Sequence, residues 1–155
     1  MKALFPLFVL LVATACRPPL ATAAAVAAEV MTPAPALLSA VVMHADDARR
    51  EALATADPKP LDLYFGGRSL LSLRLQVAGL ATRGLRRVER LLSRRLVHQG
   101  GAPGQPEAVL EVRAQVQAGG GWATVLRQWR VQLGRQGGAW LVTDDQDLPP
   151  VAWWR

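Results

Sequence analysis

Leu38, Val41, Val42, Ala45, Ala48 and Ala52 recur at three- and four-residue intervals, while Asp46, Asp47, Arg49 and Arg50 fall largely on the other faces. That spacing predicts an amphipathic helix over about 36–55. Asp57-Pro58-Lys59-Pro60 ends it, because a residue before proline is pushed out of the helical region. A short apolar element from Leu61 to Phe65 follows and breaks at Gly66-Gly67. From Ser69, read as an N-cap, Leu70, Leu73, Val77 and Leu80 form a second helical face that ends near Gly84. Leu71, Leu73, Leu75 and Val77 also alternate, which leaves strand open for the same stretch.

The second half reads as sheet. Ala108, Leu110, Val112, Ala114, Val116 and Ala118 alternate with Glu111, Arg113, Gln115 and Gln117, the period-two signature of a strand with one buried face. Residues 85–98 are ambiguous, since Val88, Leu92 and Leu96 suit one helical face yet also alternate loosely with Arg90 and Arg94. A strand is favoured there, because the Gly/Pro turn expected over 99–106 would fold it back as the hairpin partner of the clear one. Beyond Gly119-Gly120-Gly121, Trp129, Val131 and Leu133 face one way and Gln128, Arg130 and Gln132 the other. Arg127 interrupts this order and is read as a bulge. After Arg135-Gln136-Gly137-Gly138, Trp140 and Val142 open a last strand ending near Asp144. The plan is α+β, with N-terminal helices packed on a curved antiparallel sheet of three to four strands.

A chain of 155 residues has room for one such domain plus targeting and linker segments. Met1 and Lys2 supply a positive start, Ala3 to Val12 an uncharged run, and Ala13-Thr14-Ala15 the small residues of a cleavage site. The run holds Pro6 and stops at Arg17, short of the roughly 20 apolar residues that cross a bilayer. The expected layout is a signal peptide over 1–15, an Ala/Pro-rich tether over 16–36, the α+β domain over 37–148 and a tail over 149–155.

Charge adds a direction to any partner. Sixteen of the eighteen cations are Arg, a bias that codon usage explains as readily as selection for anion contacts. Residues 61–135 hold twelve Arg against only Asp62, Glu89, Glu107 and Glu111, so an electrostatic partner should be anionic. The run Arg83, Arg86, Arg87, Arg90, Arg94 and Arg95, relieved only by Glu89, is the candidate surface for anionic lipid or an acidic envelope polymer. A solvated polar face is the bland alternative. Nucleic acid is not expected of an exported chain, despite a sequence pI of 11.0.

Two resemblances sharpen the expectation. Ala13-Thr14-Ala15-Cys16 resembles the lipobox of bacterial lipoproteins, with Ala13 where Leu is usual. It implies acylation of Cys16, the sole cysteine, and a membrane anchor; ordinary cleavage to a secreted or periplasmic protein is the alternative. The order of elements resembles the nuclear-transport-factor-2-like superfamily over about residues 37–147. Tyr64-Phe65-Gly66-Gly67, Trp129-Arg130-Val131-Gln132-Leu133 and Gly138-Ala139-Trp140-Leu141-Val142-Thr143-Asp144 carry that likeness. It implies an open-ended, cystatin-like cone, used by some members as an enzyme pocket and by many exported ones for binding or assembly. Tyr64, Trp129 and Trp140 are then the candidates to line the cone, and Asp62 is read as a helix-start residue.

Catalytic patterns are thin. A Ser/His/Asp triad has only His44 and His98 to draw on, both read as exposed, and a closed zinc site lacks its ligands. Asp144, Asp145 and Asp147 lack the Gly and bidentate Glu of a calcium loop and are read as a solvated strand end. The glycine runs at 100–101 and 119–121 join strands, so they are turns and not phosphate cradles. Trp122, Trp129 and Trp140 suit packing, while Trp153 and Trp154 either fold back over the cone or protrude toward a membrane or a protein partner. No cofactor or metal is expected. The resulting expectation is an exported, lipid-anchored envelope module with a non-enzymatic binding or assembly role; the alternative is a small-molecule enzyme or carrier using the cone interior.

Overall fold

Helix α1 spans Pro35–Thr55. Proline suits its first turn, where the missing N–H would have had no partner. The helix stops at Ala56, which takes a left-handed φ of 57° just ahead of Asp57-Pro58. A 3-10 helix, η1 (Lys59–Leu63), and helix α2 (Gly67–Thr82) follow. Four strands complete the chain: β1 (Glu89–Ala102), β2 (Gln105–Ala118), β3 (Gly121–Gln136) and β4 (Ala139–Leu148). The structure, a computed structural model, describes residues 32–149 except 119, and the side chain of 118 is also outside the description. Cys16, the leader, most of the tether, Trp153 and Trp154 lie outside the described residues.

The strands form one antiparallel meander in the order β1-β2-β3-β4. Register shifts at Leu91/Ser93 and Leu96/His98 in β1, and at Thr143 of β4 opposite Gln132/Leu133, add local twist and curl the sheet. Both helices lie on the concave face. Leu38, Val42, Ala45 and Leu53 of α1 and Leu73 and Val77 of α2 meet Leu110, Val112, Trp129, Val131, Leu133 and Val142 in one buried core. The α+β arrangement of helices on a curved antiparallel sheet is the expected one, with the sheet resolved to four strands.

Several boundaries shift, each for a local reason. The ambiguous stretch becomes β1, which runs on through Gly100 and Gly101, so the turn expected over 99–106 narrows to Pro103-Gly104. Strand β4 continues past Asp144 to Leu148, because Asp145 and Asp147 pair across to Val131 and Trp129. Ser69 is not an N-cap. Helix α2 starts at Gly67, whose φ of 54° lets the chain turn where a Cβ would lie 3.3 Å from the Thr143 carbonyl oxygen. Gly66 N–H donates to Val142 O at 2.8 Å and Val142 N–H to Tyr64 O at 2.9 Å, which pins the entry of α2 to β4. At the other end Gly84, with φ 63°, closes a Schellman motif: Leu85 N–H reaches Leu80 O at 2.9 Å and Gly84 N–H reaches Ala81 O at 3.0 Å.

Candidate functional site

The helix-facing side of the sheet is not uniformly apolar. Alternation along β3 places Val125, Arg127, Trp129 and Val131 inward in unbroken order, opposite Ala114, Val112, Leu110 and Ala108 of β2. Arg127 therefore sits at a regular inward position and not at a bulge; what broke the sequence pattern was its charge. Helix α1 answers it with charges of its own. Val42, Ala45, Asp46, Arg49 and Leu53 follow the helical repeat of one face, and all five are buried, with Asp46 fully so. The expectation that Asp46 and Arg49 fall on outer faces is corrected here.

These groups interlock. Arg127 Nη2 lies 3.3 Å from Asp46 Oδ1 and 3.1 Å from Glu89 Oε2. Arg50 Nε reaches the other Asp46 oxygen at 3.2 Å and also bonds Asp47. Arg94 grips Asp47 with two parallel bonds of 2.7 and 2.9 Å and donates to Met43 O at 3.0 Å. Arg49 crosses from α1 to Asp147 on β4 at 2.8 Å while its guanidinium lies 5.3 Å above the Trp129 ring. Arg87 closes the edge of the cluster on Glu89 at 2.9 Å. A second polar group adjoins it: Trp129 Nε1 donates to Asp145 Oδ2 at 2.8 Å, and Ser69 Oγ donates to Asp145 Oδ1. The Nε atoms of Arg49 and Arg127 are buried without a partner among the described residues.

The electrostatics follow from that packing. Burial pushes the Asp47 carboxyl up, but the hydrogen bonds and charge of Arg94, helped by Arg50, outweigh it and hold the group below the ordinary carboxylate value. Asp147 behaves alike, its burial outweighed by Arg49 and Arg127. The Asp47 hydrogen bonds raise Arg94, whereas burial and the neighbouring Arg49 lower Arg127. Both carboxyls thus bind protons more weakly folded than unfolded, so their contribution to stability is complete above the unfolded value of about 4. It is lost as pH falls through the folded values. The urea midpoint is expected to drop as pH is lowered below about 4, and an Asp47→Asn, Asp147→Asn double variant to start lower and fall less. A midpoint that stays flat in the wild type would contradict this.

Chemically the cluster is a lock. Asp46, Asp47, Glu89 and Asp147 each face at least one arginine. Among the described residues no group of three His, Cys, Asp or Glu could hold a metal ion. Of the expected cone-lining residues, Trp129 is fully buried and packs 6.1 Å from Phe65, filling the interior. Trp140 packs partly buried against the core. Tyr64 stacks on His44 at 5.8 Å and borders a solvent-open groove of about 360 Å³ with Asp47, Glu51 and Leu63. Asp62 pairs with Arg74 at 2.7 Å. Asp145 and Asp147 are tied inward by Trp129 and Arg49, so the acidic end of β4 is not simply solvated.

The arginine run is divided among several surroundings. Arg94 points into the cluster, Arg87 pairs with Glu89, and Arg95 reaches Glu111 at 2.8 Å on the outer face. Arg90 lies 4.6 Å over Trp122, Arg83 donates to Gly79 O at 2.8 Å, and Arg86 is exposed. The residues that sequence reasoning missed are Asp46, Asp47, Arg49, Arg127 and Asp147. For Asp46, Arg49 and Arg127 the available signal was their placement on the apolar period of α1 and β3.

No protein-family model matches the chain, and no curated protein matches it in sequence. Solved structures do match in shape. The intermembrane-space region of the chloroplast protein ARC6 superposes with a TM-score of 0.66 at 13% identity, covering 76% of this chain and 98% of its own. Aln2 from a Streptomyces species gives 0.50 at 13% identity, covering 76% and 93%. An uncharacterized protein with a cystatin-like fold from Caulobacter vibrioides gives 0.48 at 16% identity, covering 74% and 92%. At such identities the likeness is one of fold alone, and the described domain has a cone-like α+β fold.

Proposed function

We propose that the chain is an exported cell-envelope module, held at a membrane by acyl groups on Cys16, whose domain works by binding or assembly and not by catalysis. The observation that supports this most directly is the content of the cone. Trp129, Leu110, Leu133 and Leu61 fill its interior, and the Asp46–Arg127 cluster occupies the space beside them. An enzyme or carrier using the interior would need a cavity with a free acid, base or hydrogen-bonding group, and these side chains stand where that cavity would be. The ARC6 neighbour is named for a region between two membranes, a setting that suits the same kind of domain on an envelope tether. No described helix is long and apolar enough to cross a membrane, and in this reading the anchor is Cys16.

The test is mass spectrometry of the mature amino terminus from fractionated cells, beside a Cys16→Ala control. Wild-type protein is expected in the membrane fraction with an acylated Cys16 at its amino terminus. The control is expected to lose that mass and its membrane association. Unmodified protein released to the medium from both would refute the anchor.

A further inference from the structure

We propose that the outer face of the sheet, at the end where β1 and β3 begin, docks on anionic phospholipid headgroups. The proposal rests on the envelope-anchored reading above and adds a second, non-covalent contact with the bilayer. Helices α1 and α2 cover only the concave face, so the opposite face of β1, β2 and β3 carries no protein layer among the described residues. On it, register sets Arg90 opposite Gln115 and Arg113 opposite Ser93 and Leu126. Arg90 and Arg113 therefore sit as diagonal neighbours, and neither pairs with a carboxylate among the described residues. Arg95, one row further along, keeps Glu111 as its partner.

Large apolar side chains flank these cations. Leu92, Trp122 and Leu126 are 47%, 42% and 39% exposed, and Arg90 lies 4.6 Å over the Trp122 ring. Ser93, Arg95, Glu111, Arg113, Thr124 and Leu126 border an open concavity of about 640 Å³ on the same face. An arginine held against an indole presents its donors outward, and a guanidinium matches two phosphate oxygens at once. Indole and leucine side chains at that level suit the boundary between headgroups and acyl chains. An acidic protein or polymer would use the cations but has no need of leucines set singly among them. A lipid surface uses both. The tether sets the reach: an acyl anchor at Cys16 raises the effective concentration of this face at the bilayer.

The experiment uses the chain from residue 16 with Cys16→Ala, so that it carries no acyl group and its result is separate from that of the anchor test. Co-sedimentation is measured with vesicles of phosphatidylcholine alone and of phosphatidylcholine mixed with phosphatidylglycerol. Binding is expected to the mixed vesicles only and to weaken with salt. Because each arginine near an anionic leaflet contributes roughly a fivefold gain, Arg90→Gln with Arg113→Gln should lower partitioning by roughly 25-fold. Lys59→Gln with Arg74→Gln removes the same charge elsewhere and should lower it far less, while Trp122→Ser should weaken binding without removing its salt dependence. Circular dichroism melts confirm that each variant is folded. Equal binding to neutral vesicles, equal loss in the two charge pairs, or loss only on Trp153→Ala with Trp154→Ala would overturn the proposal. So would self-association that Trp122→Ser abolishes in place of vesicle binding.

Discussion

Asp46→Ala is expected to destabilise the domain by roughly 3 kcal/mol, as breaking a buried ion pair strands the partner charge. Asp46 is fully buried and faces Arg50, Arg94 and Arg127 together. Removing it leaves Arg127 with Glu89 as its nearest carboxylate, at 3.1 Å, which is why the loss should sit at the lower end of the range for such changes. Equilibrium urea unfolding at neutral pH measures it. A companion double variant, Asp46→Leu with Arg127→Met, removes both charges and should be less destabilised than Asp46→Ala, because apolar packing can replace a buried pair at little cost. A single-variant loss near the few tenths of a kcal/mol typical of exposed pairs would mean that the cluster is solvated.

The second large effect concerns Trp129. Trp129→Ala should cost roughly 4 kcal/mol, since a buried indole is replaced by a cavity that the surrounding strands can only partly close. The side chain is fully buried, packs on Phe65, lies under Arg49 and donates to Asp145. Trp129→Phe keeps most of the volume and removes the donor, leaving Asp145 to Ser69 alone. Its cost should be smaller, about 1 kcal/mol for one hydrogen bond lost at a half-buried acceptor. Denaturant midpoints of the two variants separate volume from hydrogen bonding. If both variants matched the wild type, Trp129 would not be holding the interior.

How much of this was visible beforehand depends on residue type more than on position. Strand β2 was plain because Ala108, Leu110, Val112 and Ala114 are apolar at every inward step. The same period runs through Arg127 on β3, and the same helical face runs through Asp46 and Arg49 on α1. There, charged identity suggested solvent. Burial of a charge is decided by whether an opposite charge arrives from elsewhere in the fold, and these partners are 81 residues apart for Asp46 and Arg127 and 98 apart for Arg49 and Asp147. Ser69 was misplaced in the same way. A serine ahead of an apolar run looks like a cap until Gly66 is seen bonding β4 and the helix opening at Gly67.

Local pattern determined helix α1 and strand β2 and, with the order of elements, the α+β layout, because one-sided burial leaves a period in the chain; the stretches that became α2 and β1 fit both periods. The anchor expectation rests likewise on short-range residue order around Cys16. Tertiary structure alone decided which arginines face inward, that the cone is packed with Trp129 and a charge lock, and that Arg90, Arg113 and Trp122 share an open face. Those outcomes depend on contacts between residues far apart along the chain, which only the closed fold brings within a few ångströms of each other.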